Sequence, residues 1–196
     1  MAEKLIPTPS QTVGPFFHLG MDRPEWADLT RGNPELAGQR IAVEGQVLDG
    51  DGAPVPDAVV ELWQANAAGR YNHPDDRQED KPLDPKFHGF GRCATDNDGR
   101  FRVRTIKPGP VPGRGNALQA PHINVAVFAR GMLIHLCTRI YFADELAANA
   151  ADPLLSSIED GAVRGTLLAR ADASNPALYR FDIVLQGDNE TAFLDI

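Results

Sequence analysis

Cysteine is scarce. Cys93 and Cys137 are the two in 196 residues, too few for a disulfide framework and suited to a reducing compartment. Basic charge is short as well. Nineteen Lys and Arg face 27 Asp and Glu, a formal charge of −8, whereas a binder of phosphate backbones needs a basic face. No apolar run approaches the length of a membrane span, and no charged-then-apolar leader opens the chain. The expectation is therefore a cytoplasmic protein that meets neither membrane nor nucleic acid. Also missing are a nucleophile elbow, a phosphate loop, a paired-cysteine motif and a dinucleotide fingerprint, which removes the commonest hydrolase, nucleotide and redox readings. At this length a single domain buries roughly 70% of its surface on folding, so a core forms without staples.

What is present is β. Ile41-Ala42-Val43-Glu44-Gly45-Gln46-Val47 alternates and ends in the turn signal Asp49-Gly50-Asp51-Gly52. Val59-Val60-Glu61-Leu62-Trp63, Phe101-Arg102-Val103-Arg104-Thr105 and Tyr179 to Leu185 read as further strands. Ile123 to Phe128 and Met132 to Phe142 flank Arg130-Gly131, which reads as a two-residue hairpin turn. Residues 144–170 look helical, as two short pieces interrupted by Asp152-Pro153 and Gly161. The pattern predicts a mainly β protein, an antiparallel β-sandwich over 41–196. Residues 1–40 carry Pro7, Pro9, Pro15, Pro24 and Pro34 without any period. They read as an extended N-terminal arm that packs on a partner chain, because a free tail gains nothing by exposing Phe16-Phe17.

Two neighbourhoods stand out for chemistry, Gly69-Arg70-Tyr71 and Pro108-Gly109-Pro110-Val111 with Pro121-His122-Ile123-Asn124 beyond it. The run Val43-x-Gly45-x-Val47-x4-Gly52-x2-Val55-x4-Val60-Glu61-Leu62-x6-Gly69-x-Tyr71 resembles the signature segment of the intradiol ring-cleavage dioxygenases. Thr105 to Pro110, Pro121-His122-Ile123 and Tyr179-Arg180-Phe181-Asp182-Ile183 extend the likeness over nearly the whole chain.

The resemblance implies a non-haem Fe(III) held by two tyrosinates and a His-x-His pair, hard donors for a hard ion. Mapped onto this sequence, the first tyrosine is Tyr71 and the first histidine His122. The second tyrosine falls on Val111 and the second histidine on Asn124, and neither replacement is an adequate ferric ligand. Active chains carry an arginine three residues before the first histidine, where this chain has Gln119. His73, His88 and His135 have no spacing that would replace the lost ligands. The resemblance thus implies that this chain binds no metal. It would be the α-type member of a hetero-oligomer whose homologous β chain holds the iron and cleaves 3,4-dihydroxybenzoate with O2. Matches to the family's α chains in Pro9 to Phe16 and in Phe128-Ala129-Arg130-Gly131 imply that Thr12, Gly14, Pro15 and Arg130 line the partner's substrate pocket. A planar guanidinium fork suits a benzoate carboxylate. The alternatives left open are a metal-free module that binds aromatic acids or is purely structural, and a ferric enzyme with an altered ligand set.

Overall fold

Alternation decides which face of each strand is buried. In β1 (Arg40–Leu48) the side chains of Ile41, Val43 and Val47 enter the core while Arg40 and Glu44 stay outside it. β2 (Val59–Trp63) sends in Val60 and Leu62, and β4 (Arg100–Ile106) sends in Phe101 and Val103. Ile123, Val125 and Val127 come from β7 (His122–Phe128), and Ile140 and Phe142 from β8 (Leu136–Phe142). With β3 (Phe90–Ala94), β9 (Leu168–Asp172), β10 (Asn175–Arg180) and β11 (Ile183–Val184) they make one nine-stranded sheet. Its order is β11-β1-β10-β9-β8-β7-β2-β3, with β4 paired to β1. Residues from all nine strands share one apolar cluster, so the sheet curls over and packs against itself as a β-sandwich. A separate two-stranded ribbon joins β5 (Val111–Pro112) to β6 (Leu118–Gln119). The computed structural model describes residues 9–14, 20, 22–113, 115 and 117–195.

The sandwich is the fold expected from the sequence, with three differences of detail. Pairing is mixed, since β1 runs parallel to β10 and β11, and β8 runs parallel to β9. The helical interval holds three short helices rather than two: α1 (Leu146–Ala151), α2 (Pro153–Ser157) and α3 (Gly161–Gly165). Asp152-Pro153 separates the first two as anticipated. Asp160-Gly161, however, starts the third instead of merely interrupting, because the Asp160 carboxylate caps it by accepting from the Ala162 N–H at 2.7 Å. The β7–β8 turn is also longer than two residues. Met132 donates to Ala129 O across Gly131 at φ +85°, and Leu133 and Ile134 then project, 80% and 71% exposed, before pairing resumes.

Much of 22–40 lies on the chain's own body. A 3-10 turn (Pro24–Ala27) packs on β3, Leu29 donates its N–H to Arg104 O, and Leu36 is buried with Phe87 and Ile106. Among the described residues no helix is long and apolar enough to cross a membrane.

Candidate functional site

Two glycines bring the first pair of residues together. Gly69 adopts φ +77°, and a Cβ there would stand 1.9 Å from the Pro110 carbonyl oxygen; one on Gly109 would stand 2.4 Å from Ala67 O. Lys81 ties the contact by donating from Nζ to Gly69 O at 3.2 Å and Pro110 O at 3.1 Å. The loop after β2 therefore touches the chain entering β5, so Tyr71 and Val111 line one cavity.

The second pair comes from strand period and register. His122 and Asn124 are two apart on β7 and share the face opposite the apolar core, since Ile123 between them faces inward. Trp63 of β2 lies opposite Asn124, which lies opposite Arg139 of β8, and His122 lies opposite Tyr141. Trp63 stacks on Tyr71 with ring centroids 5.6 Å apart and planes within 15°. Tyr71, Val111, His122 and Asn124 are thus gathered in one place, beside a cavity of about 490 Å3 walled by Trp63, Tyr71, His73, Asp76, Val111 and Pro112.

What fills that place is a hydrogen-bond network centred on Arg139. Its Nε donates to Asn124 Oδ1 at 3.0 Å, and its Nη1 donates to Gln119 Oε1 at 2.6 Å and to Tyr141 Oη at 3.2 Å. Asn124 donates from Nδ2 to Tyr71 Oη at 3.3 Å. Tyr141 donates onward to Asp152 Oδ1 at 3.3 Å. The charge state follows from this packing. Burial raises Tyr71 above the usual phenol range, against the opposing pull of Asn124 and Arg139. Burial also lifts Tyr141 to about 12. Burial, and then the Arg139 guanidinium, push His122 down to about 4, so its imidazole is neutral at pH 7. Its Nδ1 donates to Ala120 O at 2.7 Å, which fixes the ring.

A ferric ion does not fit these residues. Of four donor positions, one is an alkyl group and one an amide whose oxygen already accepts from a guanidinium. Among the described residues no group of three or more His, Cys, Asp or Glu side chains is placed to hold a metal. His73 stands edge-on to Trp63 at 6.3 Å, on the cavity wall. His135 lies elsewhere, stacked on Phe128 at 5.1 Å, and His88 is exposed.

The expected substrate-contacting residues form a second group. Thr12 Oγ1 donates to Ala129 O at 3.2 Å and accepts from the Gly131 N–H at 3.2 Å, and Ser10 Oγ accepts from the His135 N–H at 2.9 Å. Residues 9–14 are therefore pinned to the β7–β8 turn, and Thr12 sits against the turn that carries Arg130. The Arg130 side chain is 57% exposed and reaches Asp57 at 3.4 Å. Among the described residues a Cβ on Gly14 would meet nothing within 4 Å. Pro15 lies outside the described residues, as do Phe16 and Phe17. At about 3.3 Å per strand residue, Phe128 at the end of β7 is roughly 13 Å from Asn124, and Arg130 lies in the turn beyond it. The two groups do not form one site.

Sequence reasoning missed Arg139, Tyr141 and Asp152. A lone arginine in the apolar run Cys137 to Phe142 was the available signal. A two-residue turn at Arg130-Gly131 would have set it opposite His122, and the longer turn shifts pairing by two and sets it opposite Asn124.

A β-sandwich that gathers Tyr71, Val111, His122 and Asn124 beside one cavity defines the class. The family model described as Dioxygenase matches residues 13–187, and the chain belongs to the intradiol ring-cleavage dioxygenase family, whose enzymes are iron enzymes. It is 43% identical to the protocatechuate 3,4-dioxygenase alpha chain of Pseudomonas putida, over all of both chains. To the protocatechuate 3,4-dioxygenase beta chain of Burkholderia cepacia it is 42% identical, covering 93% of this chain and 77% of that one. Among solved structures, the dioxygenase domain of a dioxygenase carbohydrate-binding protein fusion from Streptomyces sp. SirexAA-E is 27% identical with a TM-score of 0.58, over 95% of this chain and all of that one. Relatives thus exist as separate alpha and beta chains.

Proposed function

We propose that this chain is the iron-free, α-type subunit of an αβ dioxygenase that opens 3,4-dihydroxybenzoate with O2 between the hydroxyl-bearing carbons, giving 3-carboxy-cis,cis-muconate. Iron on the β-type partner supplies the oxygen chemistry. The observation that carries the reading is the Arg139 network, which commits the amide at the second-histidine position to a guanidinium.

The contribution of this chain is to bind and orient. Arg130, Thr12, Gly14 and Pro15 line the partner's substrate pocket. Three facts support this. Arg130 is half exposed and lies beyond the end of β7 opposite to His122. Thr12 is fixed against its turn by two hydrogen bonds. The space around Gly14 leaves room for another chain or a flat ring to approach the backbone. A guanidinium near a catechol that bears a carboxylate favours its charge and steers the ring before reaction.

Purification of the chain alone and co-expressed with a β-type chain tests the reading. The single chain is expected to be colourless and inactive, and the pair red-brown from tyrosinate-to-iron charge transfer and active on 3,4-dihydroxybenzoate. Stoichiometric iron or activity in the single chain would overturn it.

A further inference from the structure

We propose that Arg139 closes the remnant site to metal. Its fork already engages the side chain of residue 124, so restoring the lost ligands does not by itself restore a metal centre. The proposal concerns this chain alone and stands or falls independently of any partner.

The geometry is specific. Nε of Arg139 points at the residue 124 side chain from 3.0 Å, directly across the β7–β8 ladder. A histidine placed at 124 would offer its ring to that donor. Nη1 simultaneously holds Gln119 and Tyr141, so the guanidinium is anchored from three sides and is not a swinging surface charge. Gln119 in turn pairs with Val111 across the β5–β6 ribbon. The fork therefore spans three positions of the remnant: the missing histidine, the strand partner of the missing tyrosine, and the ring beside His122. Among the described residues no carboxylate pairs with Arg139 at ion-pair distance, and its acceptors are all neutral oxygens. The position already contains a cation held by neutral acceptors.

Three variants of the isolated chain carry the test: Val111→Tyr/Asn124→His, the same pair with Arg139→Gln, and the same pair with Arg100→Gln. Arg100 is exposed at the start of β4 and pairs with Asp98, so its loss gives the same change in net charge elsewhere. After loading with ferrous salt in air and desalting, iron is measured by elemental analysis and tyrosinate charge transfer by visible absorption. The double variant and the Arg100 control are expected to hold background iron, and the Arg139 variant at least tenfold more, with a visible band. Iron in the double variant equal to that in the triple overturns the proposal, as does a folded triple variant without iron. Arg139→Met in the same background repeats the test with the stem length kept.

A measurement on the unsubstituted chain covers the case in which the variants unfold. The Nε–H of Arg139 should exchange with solvent at least tenfold more slowly than that of Arg100, and Asn124→Ala should remove that protection. An Arg139 Nε–H as fast as that of Arg100 would overturn the contact on which the proposal rests.

Discussion

The buried carboxylate of Asp152 accepts the N–H of Ala120 at 2.8 Å and so ties the helical interval to the strand that presents His122. The same carboxylate caps α2 by accepting from Leu154 and Leu155 at 2.9 Å each, and receives the Tyr141 hydroxyl at 3.3 Å. Four donors converge on one fully buried side chain. Asp152→Ala would leave them without a partner, and the expected loss is at least about 3 kcal/mol. For a chain of this size that is a fall in Tm of about 6–12 °C. Thermal or urea denaturation would show it, and a variant that melts with the parent would contradict the anchoring role.

His122 gives the chain a pH dependence with a definite sign. Its pKa is pushed from 6.5 to about 4 in the fold. The unfolded chain therefore binds the proton first as pH falls. Stability from this residue is complete above about 6.5 and declines towards about 4, by about 3 kcal/mol in all. The charged and titratable groups facing it are Arg139 and Tyr141 from β8 and Asp152 from the start of α2. His122→Gln should flatten this part of the curve relative to the parent. Parallel curves for the two would refute the assignment.

At the other end of β7, Arg130→Ala in the αβ enzyme is expected to raise KM and to lower kcat/KM about tenfold to a hundredfold, as the loss of one charge-assisted contact does. Iron content and resting colour should be unchanged, because no metal ligand is touched. Wild-type kcat/KM on 3,4-dihydroxybenzoate would make Arg130 a solvated turn residue.

Leu133 and Ile134 project from that same turn with little cover from their own chain. Leu133→Ser/Ile134→Ser should shift the melting of the isolated chain by no more than about 0.5 kcal/mol per site. If the turn packs on the β-type partner, each lost side chain removes about 1.5–3 kcal/mol of burial, and αβ association weakens by tenfold or more. Sedimentation of the mixed chains measures this, and unaltered association would place the turn outside the interface.

The motif that carries the family likeness is mostly a folding motif, which is why the sandwich was legible. Val43, Val47, Val60 and Leu62 are core residues, and Gly45 is required because a Cβ there would stand 1.7 Å from Phe181 O. Gly69 serves in the same way against Pro110. That Val111 and Asn124 are poor ferric donors was equally legible from residue type alone. What occupies their place was not. Arg139 reaches the site through pairing register, and register depends on the length of a turn whose Leu133 and Ile134 look like the start of a strand. The short β3 and β9 were hidden for a related reason: Phe90-Gly91-Arg92-Cys93-Ala94 and Leu168-Ala169-Arg170-Ala171-Asp172 each bury few apolar side chains.

The two groups of residues sit towards opposite ends of β7, more than about 10 Å apart, and share no hydrogen-bond partner among the bonds described above. Free-energy effects at sites so separated add. Under the proposed function, changes around Tyr71, Asn124 and Arg139 are therefore expected to alter the folding stability of this chain, and changes at Thr12 and Arg130 the turnover of the assembled enzyme. On that reading, a library built only at the first group of positions is expected to alter melting temperatures without moving the kinetics.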